Sequence, residues 1–246
     1  MGEVFAVISG KGGTGKTSLS AGIATALASS GNSVLCIDCD VGLRNLDISL
    51  GMSDSGGVSF LDVCSGSYPL DHASAHPLYP TLSFLTAPMN CPPEQIDPAA
   101  FTALLRNARS RFDYVFLDAP AGVDAGFRLC TGAADRFLLV TGAGPAAVRD
   151  AARVSELLEL QQKQDVRLIV NRVSRNLLST TKTTIDDIMD TAGLPLCGMV
   201  PEDNRITLAA SFGQPLLRYA PRSPAAKACR RIAQRIQGFQ VPISLR

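Results

Sequence analysis

The sequence predicts an α/β fold: one three-layer α/β/α domain, residues 1–246, built on a mostly parallel central sheet. Three observations carry the prediction. Short runs of continuously apolar residues recur along the chain, as strands buried on both faces require. Longer segments of helical period separate them, and this repeated alternation argues for parallel strands covered by helices on both sides. No stretch reads as a linker, a repeat or a low-complexity segment that would divide the chain.

The strands are expected at 4–9, 34–38, 82–86, 114–118, 136–141, 167–171 and 196–200. In the first helix Leu19, Ile23 and Leu27 recur every four residues and make one apolar face, and Gly31 stops it. A further helix opens at Pro145, a residue suited to a first turn, and runs to about residue 161. A basic helix over 223–237 carries Lys227, Arg230, Arg231 and Arg235, with Ile232 and Ile236 as an apolar stripe that packs it on the domain. Segments 53–57 and 88–98 read as loops.

Bulk properties exclude several classes. The chain is 46% hydrophobic and 18% charged, which is ordinary globular composition. A net charge of +1 gives no bulk reason to expect a polyanionic partner. Seven scattered cysteines do not make the disulfide framework of a small secreted domain. Cys36 and Cys39 form a lone C-x-x-C with no second pair, so Cys36 is read as packing in a strand and Cys39 as lying in a loop. No signal-peptide pattern precedes the first strand, and no apolar run reaches the roughly 18–20 residues of a membrane span. The expected location is the cytoplasm. His72 and His76, in a Pro-rich stretch without a neighbouring carboxylate, read as surface histidines.

Gly10-Lys11-Gly12-Gly13-Thr14-Gly15-Lys16-Thr17 fits G-x-x-x-x-G-K-[ST]. It follows an apolar strand and opens a helix, the context that gives this motif its meaning. Glycines let backbone N–H groups turn inward around phosphate oxygens, and the helix N-terminus adds partial positive charge. Lys16 then reaches the β- and γ-phosphates, and Thr17 offers its hydroxyl oxygen to Mg²⁺. A P-loop needs an acid at the end of a second strand, and Tyr114-Val115-Phe116-Leu117-Asp118 supplies Asp118 for the metal. The fold expected is therefore that of the P-loop NTPases, with ATP and Mg²⁺ as ligands.

Lys11 is an extra charge at the second position of the loop. With it, the loop resembles the deviant Walker A loop of the MinD/ParA ATPase family. Asp38-Cys39-Asp40-Val41-Gly42-Leu43-Arg44-Asn45-Leu46-Asp47 is similar to the family's switch I, most of all in its MinD branch. Asp118-Ala119-Pro120-Ala121-Gly122-Val123-Asp124-Ala125-Gly126-Phe127 is similar to switch II. Val170-Asn171-Arg172 and Val200-Pro201-Glu202-Asp203 resemble its nucleotide-base segments. The likeness runs in order from residue 3 to about residue 242.

The resemblance implies a slow ATP hydrolase that dimerises on ATP-Mg²⁺ and separates on hydrolysis. Lys11, Lys16 and Asp40 are the implied catalytic residues: Lys11 crosses to the partner's phosphates and Asp40 orients or deprotonates the attacking water. Gly10, Gly12, Gly13, Thr14, Gly15 and Ser18 join Lys11, Lys16 and Thr17 in holding phosphate. Asp38 supports the magnesium shell beside Thr17 and Asp118. Asn171 hydrogen-bonds the adenine edge, and Arg172, Pro201, Glu202 and Asp203 close the base pocket. Read without the resemblance, Asp38 and Asp40 also fit loop caps and Asn171 a strand-end cap.

Such a switch implies a homodimer and regulatory protein partners, with the helix over 145–161 as their face and positioning of the division site as the purpose. The alternative is a partition ATPase of the ParA kind that binds DNA nonspecifically as an ATP dimer, through Arg218, Arg222, Arg230, Arg231 and Arg235; the near-neutral total charge weighs against it. A synthetase or an iron–sulfur scaffold lacks support, because no second substrate motif is present and Cys197 and Cys229 are too far apart for a Cys-x-x-Cys. The resemblance also implies a C-terminal amphipathic helix that grips the bilayer in the dimer. Gly238 ends the basic helix, Pro242 opposes its continuation, and 240–246 is short for an interfacial helix. Peripheral association with the inner face of the cell membrane is left open.

Overall fold

A computed structural model of the chain describes residues 1–53, 56–89 and 91–244. The expected loops at 53–57 and 88–98 and the terminal segment 240–246 lie partly outside the described residues.

The strands are β1 (Glu3–Ile8), β2 (Val34–Asp38), β3 (Ser74–His76), β4 (Tyr79–Leu85), β5 (Tyr114–Asp118), β6 (Arg136–Gly142), β7 (Val166–Val173) and β8 (Leu196–Pro201). The helices are α1 (Lys16–Ser29), α2 (Leu46–Leu50), α3 (Phe60–Cys64), α4 (Pro98–Arg109), α5 (Ala125–Ala133), α6 (Pro145–Leu160), α7 (Arg175–Thr181), α8 (Ile185–Ala192), α9 (Arg205–Ser211), α10 (Leu216–Tyr219) and α11 (Pro224–Ile236). The strands form one sheet in the order β3-β4-β2-β5-β1-β6-β7-β8. Every pairing is parallel except β3 with β4.

The expected strands all appear, within a few residues at their ends. β2 and most of β1, β5 and β6 are buried on both faces, which is why they read as unbroken apolar runs. Two apolar cores result. One lies between the sheet and α4, α5, α6 and α8, around Phe60, Phe101, Phe127 and Leu158. The other lies between the sheet and α1, α10 and α11, around Phe5, Ile23, Phe116 and Ile232.

The structure corrects two expectations and adds one element. α1 does not present one apolar face: every residue from Leu19 to Ala28 is buried, because the helix is enclosed by the sheet, α2, α10 and α11. Its Gly22 gives α11 the room to approach, since a Cβ there would sit 2.8 Å from the Cys229 sulfur. The β3–β4 antiparallel pair was not anticipated. His76 is no surface residue: it is 2% exposed, its Nε2 lies 2.8 Å from the Leu50 carbonyl oxygen, and its Nδ1 accepts from the Leu78 N–H at 3.0 Å. His72, by contrast, is exposed.

Candidate functional site

β1 lies mid-sheet, with β5 on one side and β6 on the other. The chain runs from β1 to β2 on one side and crosses from β5 to β6 on the other, and the crevice at the carboxyl ends of strands where the order switches is where open α/β sheets take ligands. The segment Ser9–Gly15 fills that crevice and runs into α1. Gly13 and Gly15 adopt positive φ, 76° and 89°. At Gly15 a Cβ would also lie 2.2 Å from Asn171 Nδ2, so glycine is required there twice over. Gly10 approaches α6 so closely that a Cβ would meet the Asp150 backbone oxygen at 2.8 Å. Gly12 is nearly open.

The two loop lysines occupy opposite environments. Lys16 is 7% exposed and points into the crevice, where its charge acts on Asp118 and Asp40. Lys11 stands on the surface, its ammonium 4.0 Å from Asp150 of α6. The Ser9 hydroxyl donates to the Lys11 carbonyl at 2.8 Å and fixes the loop's entry.

Asp38 and Asp118 are register partners at the ends of β2 and β5. Both are 1% exposed. Burial and then mutual repulsion push the Asp38 carboxyl up to about 7, partly offset by N–H donation from Asp40 at 2.9 Å and Leu46 at 3.2 Å. Burial also raises Asp118, against the pull of Lys16 and hydrogen bonds from Thr17 and Ser20; the Ser20 hydroxyl donates to its Oδ1 at 2.9 Å. Half-buried Asp40 is raised by burial and lowered by Lys16. Two carboxylates, a buried lysine and the Thr17 hydroxyl thus face one point. A divalent cation bound by few protein oxygens and several phosphate or water oxygens fits this donor set.

The base segments come from the other half of the sheet. A bulge in β7 between Val170 and Val173 coincides with φ 54° at Arg172. Such bulges re-aim side chains, and here Asn171 is turned into the loop, donating from Nδ2 to the Thr14 carbonyl at 2.7 Å. Its Oδ1 and the Thr14 hydroxyl are buried without a partner. Two orphaned polar atoms beside a glycine cradle are what a hydrogen-bonding ligand would satisfy. Arg172 and Glu202 are exposed, and the Glu202 N–H donates to Val173 O. Pro201 ends β8. The Asp203 carboxylate turns inward instead, accepting from the N–H of Arg205 at 3.1 Å and of Ala225 at 3.2 Å. Ser18 lines a small crevice with Ser49, Ile206 and Gln214 on the α2 and α9 side.

Sequence reasoning missed Ser20, Asp150 and Arg44. Ser20 sits one helical turn beyond Lys16, a spacing that points it to the same side. Arg44 anchors the loop after β2 by donating from Nε to the Thr86 hydroxyl at 3.1 Å, and no local pattern announces that. Among the described residues no helix is long and apolar enough to cross a membrane.

The CobQ/CobB/MinD/ParA nucleotide binding domain family matches residues 5–216. The septum site-determining protein MinD of Synechocystis is 35% identical over 98% of this chain and 92% of its own length. The structure resembles the MinC:MinD cell division protein complex of Aquifex aeolicus, with TM-score 0.91, 32% identity and 98% coverage of both chains. It also resembles Pyrococcus horikoshii MinD complexed with Mg-ADP, with TM-score 0.84, 26% identity and 96% coverage of each chain. A family match across most of the chain, joined to a likeness of sequence and backbone along nearly all of it, places this protein: it belongs to the MinD/ParA nucleotide-binding family and is a MinD-like ATPase.

Proposed function

We propose that this ATPase is a switch that dimerises on ATP-Mg²⁺, hydrolyses slowly, and acts on the position of cell division through protein partners. The observation that carries the reading is the division of labour between the two loop lysines. Lys16 is buried at the acid cluster of its own subunit, while Lys11 stands on the rim where a second copy can be reached.

Lys16 and the inward N–H groups of Gly12–Thr17 neutralise phosphate charge within one subunit. Thr17 and Asp118 hold the magnesium ion, with Asp38 behind them; when bound, the ion draws negative charge from the phosphate oxygens. Ser20 holds Asp118 in place. Asp40 orients the attacking water and accepts its proton. Lys11 leaves Asp150 and contacts the partner's phosphates, as an arginine finger does in related enzymes. Hydrolysis needs both subunits, so ATP serves as a timer for the dimer. Asn171 reads the base, with Arg172, Pro201 and Glu202 around it. A MinD solved with MinC supports a protein partner, and the exposed face of α6 next to Asp150 is where such a partner would sense the displacement of Lys11.

The test is light scattering of Lys11→Ala and Asp40→Ala with ATP and Mg²⁺. Asp40→Ala should accumulate as a dimer with turnover lost. Lys11→Ala should bind ATP within about tenfold of the unmodified chain yet stay monomeric, since its role is in trans. Normal dimers from Lys11→Ala would refute the reading.

A further inference from the structure

A hydroxyl buried inside a helix commonly bonds back to the carbonyl one turn earlier. Two hydroxyls of α1 do this: Thr25 donates to the Ala21 carbonyl at 2.6 Å and Ser29 to the Thr25 carbonyl at 2.7 Å. Ser20, fully buried, spends its proton elsewhere. It donates across the layer to Asp118 Oδ1 at the end of β5, 2.9 Å away and 98 residues distant in sequence.

The two acids at the strand ends are therefore held by different partners. Asp38 is gripped by the loop that follows it, its Oδ1 accepting from the Asp40 N–H at 2.9 Å and its Oδ2 from the Leu46 N–H at 3.2 Å. Asp118 takes its hold from a helix. Ser20 lies one turn further along α1 than Lys16, so Oδ1 is drawn inward, away from the phosphate loop. That helix is packed against the sheet, α2, α10 and α11, which makes the anchor stiff. Oδ2 is then the oxygen that Asp118 has on offer to a cation.

We propose that Ser20 sets the cation preference of the site: by keeping Asp118 Oδ1 on the α1 side, it lets Asp118 meet the ion through one oxygen, which suits Mg²⁺ and disfavours Ca²⁺. The proposal rests on the reading of this site as one for nucleotide and magnesium. Mg²⁺ demands a small octahedral shell and takes single carboxylate oxygens beside phosphate and water. Ca²⁺ is larger, gathers about six to eight oxygens, and accepts both oxygens of one carboxylate. A carboxylate free to turn serves either ion, whereas one pinned at Oδ1 serves the smaller better. Ser20 acts through Asp118 and is a positioning residue.

The experiment is calorimetric titration of the full chain with ADP in excess Mg²⁺, in excess Ca²⁺ and in EDTA. In Ser20→Ala the affinity for ADP with Mg²⁺ should fall about tenfold or more, as loss of a partner behind a metal-binding carboxylate does. The affinity with Ca²⁺ should hold within about threefold, since the freed carboxylate can turn both oxygens to that ion. The EDTA value should not change. Ser20→Thr, which keeps the hydroxyl, should keep the preference for Mg²⁺. If Ser20→Ala fails to fold, Ser20→Cys, a much weaker donor, carries the same test. An equal loss with both ions, or a Mg²⁺ to Ca²⁺ ratio that Ser20→Ala leaves unchanged, overturns the proposal and leaves the magnesium reading standing. An unmodified chain whose ADP affinity is the same with and without Mg²⁺ brings down both.

Discussion

The Asn171 amide donates to the Thr14 carbonyl at 2.7 Å, and this one bond fixes which end of the amide faces outward as an acceptor. With Nδ2 committed, Oδ1 is left buried and free, complementary to an exocyclic amine and opposed to a carbonyl at the same place. Adenine offers the amine and guanine the carbonyl. Asn171→Ala should weaken ATP binding by roughly 10–100-fold and narrow the gap between ATP and GTP, as loss of a buried base contact does. Calorimetric titration with both nucleotides decides it; unchanged selectivity would remove Asn171 from the base site.

Asp203 ties the base segment to the last helix. Its carboxylate accepts a free N–H at the start of α9 and another at the start of α11. Each such cap is worth about 0.5–2 kcal/mol. Asp203→Ala should lower the Tm by several degrees, and Asp203→Asn, which keeps an acceptor oxygen, should recover part of the loss. Thermal melts of the two variants check this, and equal losses would show that capping is not the cause.

Gly22 and Cys229 form a coupled pair across α1 and α11. A methyl at Gly22 meets the Cys229 sulfur at 2.8 Å, and overpacking of this kind costs about 1–3 kcal/mol. The helix itself gains about 1 kcal/mol from the same change. Gly22→Ala should therefore destabilise the native chain but stabilise a Cys229→Ala background. Denaturant midpoints for the four proteins measure the coupling, and additive effects would exclude the steric account.

His76 gives stability a pH dependence of known sign. Burial lowers its pKa below the ordinary 6.5, and the neutral ring is the form that accepts from Leu78 while donating to Leu50. The unfolded chain takes up a proton below about 6.5 that the folded chain resists. The stability carried by the neutral ring is complete above that value and is lost as pH falls toward the depressed folded value. The Tm of nucleotide-free protein should drop between pH 8 and 5.5 more steeply than that of His76→Gln. Parallel curves would assign the drop to carboxylates.

The sheet was legible because most of its strands are buried on both faces and so announce themselves as apolar runs. β3 was not legible: three residues, Ser74 to His76, carry no period, and the strand exists through its pairing with β4. His76 was misread for a related reason, since its two hydrogen-bond partners come from α2 and the turn after it. The phosphate loop was readable because backbone conformation dictates glycine at Gly13 and Gly15, and the paired acids because strand ends line up in a parallel sheet. What local sequence could not carry was long-range company: Ser20 under Asp118 and Asp150 under Lys11.

Because α1 is walled in along its length, it has nowhere to bend. A helix of this length spans ~21 Å, and curving it would compress the sheet on one side and α11 on the other, in interiors packed as densely as organic crystals. The helix thus joins the phosphate loop at Gly15, the α11 contact at Gly22 and the turn at Ser30 as one stiff element.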